Sequence, residues 1–352
     1  MPELHADAVR QALRAVLFPG FRRDLVTLGM VTDVRVDGGM VQVWLRPGTD
    51  DRERLAQLRR SVETAVGALA GVRACTVHVA GAAEGRGRDP SAQRAALPGV
   101  QHVIAVASAK GGVGKSTVAA NLAVALGELG GGVGLLDADV YGPSTSIMFG
   151  TSERPRMSGG KRLVPVERHG VKLVSMGFFL DEQSPVIWRG PIVMGIVRQF
   201  LHEVDWGPTE FLVVDLPPGT GDAVLTLVQQ VPVTGAVVVT TPQAVALLDA
   251  GRGIAMFGQV STPVLGVVEN MAGYVCPSCG TEDALLGEGG GQRLADFFGV
   301  PLLGRVPIVA AVRESGDRGV PIVRADPGHP ASDAFRRIAA RVADAARAAA
   351  RG

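Results

Sequence analysis

The run Ser108-Ala109-Lys110-Gly111-Gly112-Val113-Gly114-Lys115-Ser116-Thr117 lies between an apolar stretch of strand character, Val103–Ala107, and a helical pattern opening at Lys115. Strand, glycine-rich turn and helix in that order are the setting of a phosphate-binding loop. Glycine carries no Cβ, so the backbone N–H groups of Gly111, Gly112, Val113 and Gly114 can converge on an anion. The positive end of the helix dipole points at the same spot. In such a loop Lys115 neutralises the β- and γ-phosphates of a nucleotide, the Ser116 hydroxyl ligates Mg²⁺, and Thr117 completes the nucleotide-binding run. The general pattern has glycine at position 109, where this chain has Ala109. A glycine turn of structural origin has no need of lysine and serine in this register after a strand.

Further apolar runs follow at Val133–Leu136, Leu173–Met176, Phe211–Val214, Ala236–Thr240 and Val264–Val268, with helical patterns between most of them. Strands this apolar are buried on both faces, which predicts an α/β fold with a parallel, helix-covered sheet. Ligands bind at the carboxyl ends of such strands. Two of those ends are acidic. Val133–Leu136 runs into Asp137-Ala138-Asp139, where a carboxylate can orient an attacking water or hold Mg²⁺ through water. Capping of a loop or the next helix is the plainer reading of both. Phe211–Val214 ends in Asp215, the expected position of a carboxylate that meets Mg²⁺ indirectly. The stiff Pro217-Pro218 followed by the permissive Gly219 suits a loop that responds to the γ-phosphate, and Asp222 suits the N-cap of the next helix. Spacing alone reads Asn270, beyond Val264–Val268, as a loop residue.

Ahead of the phosphate loop, residues 1–80 read as a small α+β domain. A helix is expected over Glu3–Leu17, strands over Leu25–Val36 and Val41–Leu45, a helix over Asp51–Leu69 and a strand over Ala74–Val79. Asp37-Gly38-Gly39 between the first two strands is a hairpin signal. Residues 81–99, rich in Gly, Arg, Ala and Pro without apolar period, read as a linker, and 100–352 as the nucleotide-binding domain. Ala331–Ala350 is expected to form a surface helix.

Composition narrows the classes. With 35 basic and 34 acidic residues the chain offers no electrostatic case for a nucleic-acid partner. The N-terminus lacks a basic start followed by an apolar run, and no stretch of membrane-spanning length is apolar throughout, so the expectation is a cytoplasmic protein without membrane association. Three cysteines are too few for a disulfide scaffold.

Two of the three, in Cys276-Pro277-Ser278-Cys279, can chelate one metal, but a tetrahedral set needs four ligands. A second copy of the pair from a dimer partner would complete it. Zinc fits such a knuckle as well as an iron–sulfur cluster does, and a thiol redox pair or an inert pair are further readings. Local chemistry does not separate iron–sulfur from zinc. Cys75 reads as a core residue of the N-terminal domain.

Resemblance supplies the rest. KGGVGKST, beginning at Lys110, resembles the deviant Walker A motif, whose extra lysine reaches across a dimer interface to the partner's nucleotide. SAKGGVGKST, DADVYGPS, IWRGP, FLVVDLPPGTGD, VVVTTPQ, VVENMAGYVCPSCG, GEGGGQRLA and ESGDRGVP, in this order between about Val100 and Val323, resemble the Mrp/ApbC family of iron–sulfur cluster carrier ATPases, with a MinD-like fold. The resemblance implies ATP and Mg²⁺ as ligands, slow ATP hydrolysis, and a 4Fe–4S cluster bridging a homodimer through Cys276 and Cys279. It further implies transfer to apoprotein recipients, with cluster scaffolds as further partners. On the same ground Lys110 acts in trans, Asp139 positions water, Asp137 supports it, and Asn270 reads the adenine edge. Residues 1–80 resemble the small assembly-associated domain of bacterial carriers. That domain often has a cysteine after its second strand, where this chain reads Leu45-Arg46-Pro47-Gly48. The alternative is a nucleotide-dependent scaffold or partitioning-type dimer with structural zinc at the cysteine pair. An electron donor like the nitrogenase iron protein would have its cysteines far apart in sequence.

Overall fold

The computed structural model describes residues 4–17, 24–26, 30–45, 52–79, 96–139, 142–158, 162–178, 197, 199–219, 224, 228, 233–276 and 278–350. Of the expectations above, most of the linker (81–95), Arg46–Gly48, Val140–Tyr141, the IWRGP run and Asp222 lie outside the described residues.

Near the N-terminus, helix Ala6–Leu13 is shorter than the pattern suggested, and Leu17 instead forms an isolated bridge with Asp24. Strands Val31–Asp37 and Met40–Leu45 pair antiparallel, and Ala74–Val79 lies parallel to the second. Gly38 and Gly39 turn the hairpin at φ 53° and 87°, the double positive φ that a two-residue turn of this hand requires. Val34, Val41, Val43, Leu45 and Val77 are buried, together with Val9 and Leu13 of the first helix and Leu58, Val62 and Val66 of helix Arg52–Gly67. Alternation along the strands puts those valines on one face, so the two helices cover a single side of this three-stranded sheet. Cys75 is partly buried against this core, and burial, with the nearby Glu63 charge, pushes its thiol up.

Among the described residues, a nine-stranded sheet begins at Val100. Its parallel strands run in the order Leu302–Ile308, Val264–Val275, Gly235–Thr240, Val100–Ala107, Thr209–Asp215, Val133–Asp137 and Val171–Ser175. Val166–Arg168 and Glu282–Asp283 pair antiparallel with Val171–Ser175 and Val264–Val275. The strand leading into the phosphate loop is thus central. Val103, Ala105 and Ala107 pack into one apolar layer and Ile104 and Val106 into the other, as a strand covered on both faces must.

Helices Lys115–Gly127 and Pro330–Ala349 supply one layer; Ala244–Gln259 and Gly290–Phe298 supply much of the other. The C-terminal helix is therefore more than a surface element: Phe335, Ile338, Ala339, Val342, Ala343 and Ala346 form a buried face. Its alanines are small enough to let it lie close to helix Lys115–Gly127.

Candidate functional site: a phosphate loop and a cysteine hairpin on one sheet

The phosphate loop connects the central strand to helix Lys115–Gly127, with Gly112 and Gly114 at φ 82° and 80°. The Ser108 hydroxyl donates to the Lys110 carbonyl at 3.0 Å, and the Lys110 side chain is exposed. Lys115 is buried and reaches across to the neighbouring strand end, where its Nζ lies 2.5 Å from Asp215 Oδ1 and 3.9 Å from Asp139 Oδ2. Ser116 Oγ is 3.3 Å from the same nitrogen. Burial pushes the Asp215 carboxyl up to about 6; Lys115 opposes that rise and the Asp137 charge adds to it. Asp215 Oδ2 is buried without a hydrogen-bond partner among the described residues. A carboxylate oxygen orphaned beside a serine hydroxyl and a phosphate loop is what water-mediated Mg²⁺ requires, so these residues fit that ion.

The two acidic strand ends are tied together. Asp137 and Asp215 are register partners, and the Ala138 N–H donates to the Asp215 carbonyl at 2.9 Å. Asp137 is fully buried and accepts from the N–H groups of Asp139, Ser144 and Thr145 and from the Ser175 hydroxyl. Burial raises its pKa, against those hydrogen bonds. It therefore gathers the loop that carries Asp139, while Asp139 itself accepts from Gly142 N–H at 3.3 Å. The Gly219 N–H donates to the Ser108 carbonyl at 2.8 Å, tying the segment after Asp215 to the start of the phosphate loop.

Asn270 lies within strand Val264–Val275, which runs well past the apolar stretch that announced it. Its amide nitrogen donates to the Val113 carbonyl at 2.8 Å. A Cβ on Gly114 would stand 2.2 Å from that nitrogen, so glycine at 114 is required by this close approach as well as by its φ. The preceding Glu269 is buried, accepts from the Gly291 N–H at 2.7 Å, and pairs with Arg305 at 3.0 Å. A carboxylate there satisfies an otherwise unpaired donor at the start of helix Gly290–Phe298. Sequence reasoning missed this role, although a charged residue closing an apolar run was a signal.

The same strand ends at the cysteines. Tyr274 and Val275 pair with Asp283 and Glu282, so Cys276 and Ser278–Thr281 lie at the tip of a hairpin. The Cys276 N–H donates to the Thr281 carbonyl, and the Gly280 N–H to the Cys276 carbonyl. Cys276 is half-buried and Cys279 exposed, with Cys279 Sγ 3.2 Å from Thr281 Oγ1. That hydroxyl, the Thr281 backbone and then Cys276 hold the Cys279 thiol below its ordinary range, which favours the metal-binding thiolate. No group of three or more His, Cys, Asp or Glu able to hold a metal occurs among the described residues. No described helix is long and apolar enough to cross a membrane.

Fold and site define a P-loop NTPase of the MinD-like class. Residues 99–343 match the family described as NUBPL iron-transfer P-loop NTPase, and residues 6–79 match the iron–sulfur cluster assembly protein family. The chain belongs to the first of these, carrying the second as its N-terminal part. It is 47% identical over 348 residues to an iron–sulfur cluster carrier protein of Synechocystis, covering 97% of each chain. It is 48% identical over 249 residues to an Arabidopsis thaliana iron–sulfur protein required for mitochondrial NADH dehydrogenase, covering 70% of this chain and 79% of that one. Among solved structures, an ADP-bound nucleotide-binding protein from Archaeoglobus fulgidus is 40% identical with a TM-score of 0.57, covering 66% of this chain and 90% of that one. The septum-site protein MinD of Pyrococcus horikoshii, at 22% identity and TM-score 0.55 over 69% of this chain and 96% of that one, shares the fold.

Proposed function

We propose that this chain is a cytoplasmic iron–sulfur cluster carrier that binds and hydrolyses ATP, acts as a homodimer, and passes a 4Fe–4S cluster to apoproteins. The observation that carries the reading is one strand, Val264–Val275, which contacts the phosphate loop through Asn270 and leads directly into Cys276 and Cys279. Nucleotide and cargo sites built on the same strand are what an ATP-dependent carrier needs.

In this reading the backbone N–H groups of Gly111–Gly114 bind the phosphates, and Lys115 leaves Asp215 to neutralise them. Asp139 orients the attacking water and accepts its proton, with Asp137 holding the Asp139 loop in position. The exposed Lys110 enters the partner's site and steadies the charge that develops on the transferred phosphoryl group. Ser116 and, through water, Asp215 would hold Mg²⁺, which supplies charge neutralisation at the phosphates when bound. The Asn270 amide, donor and acceptor at once, also meets the adenine edge. Each subunit supplies two thiolates from its hairpin tip, and two copies complete a four-cysteine cluster site between them. Residues 1–80 form a separate domain joined by the 81–99 linker, and recipient apoproteins or cluster scaffolds are the partners.

The test is anaerobic reconstitution with iron and sulfide, of the wild type beside the Cys276→Ser/Cys279→Ser variant. A broad, reductant-bleachable visible band at about one cluster per dimer, lost in the variant, is the expected result. Absence of the band with zinc bound at the pair would replace the carrier with a nucleotide-dependent scaffold.

A further inference from the structure

Between Asn270 and Tyr274 the long strand does something a strand seldom does. Against its neighbour Leu302–Ile308, Asn270 pairs with Val306 and Tyr274 with Ile308, so one strand spends four residues where the other spends two. The surplus is an elbow, Met271-Ala272-Gly273, with Met271 at φ 56° and Gly273 at φ 84°. Glycine adopts that conformation freely; methionine does so against a steric cost and must be held there.

What holds it is the phosphate loop. Asn270 donates to the Val113 carbonyl, and the Met271 methyl lies 3.7 Å from where a Cβ on Gly114 would stand. On the far side, only Tyr274 and Val275 separate the elbow from Cys276. The elbow is not locked in the core: Met271 to Tyr274 are each half-buried, and Ala272, Gly273 and Tyr274 border an open cavity of about 490 Å³. A Cβ on Gly273 would meet nothing within 4 Å. One end is thus gripped by the nucleotide site, the other carries the cysteine hairpin, and the middle has room to move.

We infer that the Met271–Gly273 elbow is the positioning element through which the state of the phosphate loop sets the placement of the cysteine hairpin. A nucleotide that draws in the Gly111–Gly114 amides shifts the Val113 carbonyl and Gly114, and with them Asn270 and Met271. The elbow converts that shift into a rotation of the hairpin tip. This rests on the proposed use of Cys276 and Cys279 as cargo ligands, but it needs no cluster to be tested.

The experiment uses the reduced, cluster-free full chain. The rate at which monobromobimane modifies Cys276 and Cys279 is measured by peptide mass spectrometry, with and without Mg²⁺ and a non-hydrolysable ATP analogue. In the wild type the nucleotide changes the rate by about threefold or more. Gly273→Ala disfavours the left-handed elbow by about fivefold, so the with-to-without ratio falls toward one while the analogue still binds. Gly273→Asn tolerates positive φ and keeps the wild-type ratio. Gly280→Ala strains the cysteine turn itself, where φ is 71°, and alters both rates together with the ratio retained. An unchanged wild-type rate on adding nucleotide, a wild-type ratio in Gly273→Ala, or equal behaviour of the alanine and asparagine variants would each overturn the inference. Failure of cluster reconstitution would instead count against the carrier reading and leave this result standing.

Discussion

Lys115 Nζ and Asp215 Oδ1 lie 2.5 Å apart in a pair that is buried on both sides. The cation of the phosphate loop is therefore already neutralised, and a triphosphate must compete with Asp215 for it. An unpaired lysine in that position would bear the full desolvation cost of its charge, so the pairing keeps the site folded until phosphate arrives.

The pair makes the nucleotide site sensitive to acid. The Asp215 carboxyl is pushed up to about 6. Below that pH it is neutral in the free chain, and water-mediated binding of Mg²⁺ needs the carboxylate. Affinity for Mg²⁺–nucleotide should accordingly fall as pH drops through 6, with a proton released on binding there. Asp215→Asn should bind Mg²⁺–nucleotide weakly on both sides of that pH and remove this component of the slope. Calorimetric titrations in buffers of different ionisation heat measure the proton count; equal slopes in wild type and variant would show that another group is responsible.

Asp139 and Lys110 are proposed to serve opposite halves of a composite site, and complementation tests that. Asp139→Asn should lower turnover by about 100-fold or more, as loss of a water-positioning base does. Lys110→Ala should lower it by about 1,000-fold while nucleotide binding persists, as loss of a trans cation does. Mixing the two inactive proteins gives dimers in which one site has an intact Asp139 from one chain and an intact Lys110 from the other. With equal mixing, about a quarter of wild-type activity should return, from half of the dimers with one good site each. No recovery, with mixed dimers verified by mass, would place Lys110 in its own subunit's site.

Thr281 tunes Cys279 through a hydroxyl 3.2 Å from its sulfur. Because that contact is the largest of those lowering the thiol's pKa, Thr281→Val should raise it. At neutral pH the thiolate fraction then falls, and alkylation of Cys279 slows while its rate at high pH is unchanged. The pH–rate profile of Cys279 modification reads the shift directly. A profile that does not move would mean that the Thr281 backbone and Cys276, without the hydroxyl, hold the thiol down.

The central sheet was legible because strands buried on both faces leave unbroken apolar runs, and Val103–Ala107 and Ala236–Thr240 fall inside observed strands. Leu302–Ile308 was missed because Gly304, Arg305 and Pro307 break its run, each tolerated at a position where the strand lies at the sheet's edge. The buried face of Pro330–Ala349 went unread because alanine carries little hydrophobic signal, yet alanine is what lets two helices approach closely. The phosphate loop and the cysteine pair are local motifs and visible as such. The Ser175 hydroxyl donating to Asp137, or Asn270 gripping Val113, depends on strands far apart in sequence being adjacent, and no spacing rule reports that.

Asn270 also separates a structural contribution from a ligand-binding one. Its amide bonds the Val113 carbonyl in a site where both are buried. Asn270→Ala should leave that carbonyl without its partner and cost about 1–3 kcal/mol of stability with no nucleotide added. Urea unfolding of the free protein measures this, with a midpoint shift at unchanged slope as the expected signature. Were the asparagine only a reader of adenine, stability of the free chain would not change and the loss would show in nucleotide affinity alone. A loss in both, with ATP and GTP affinities falling by the same factor, would mean that Asn270 acts by shaping the phosphate loop. A larger loss for ATP than for GTP would add recognition of the base to that role, because only a contact to the base distinguishes the two nucleotides.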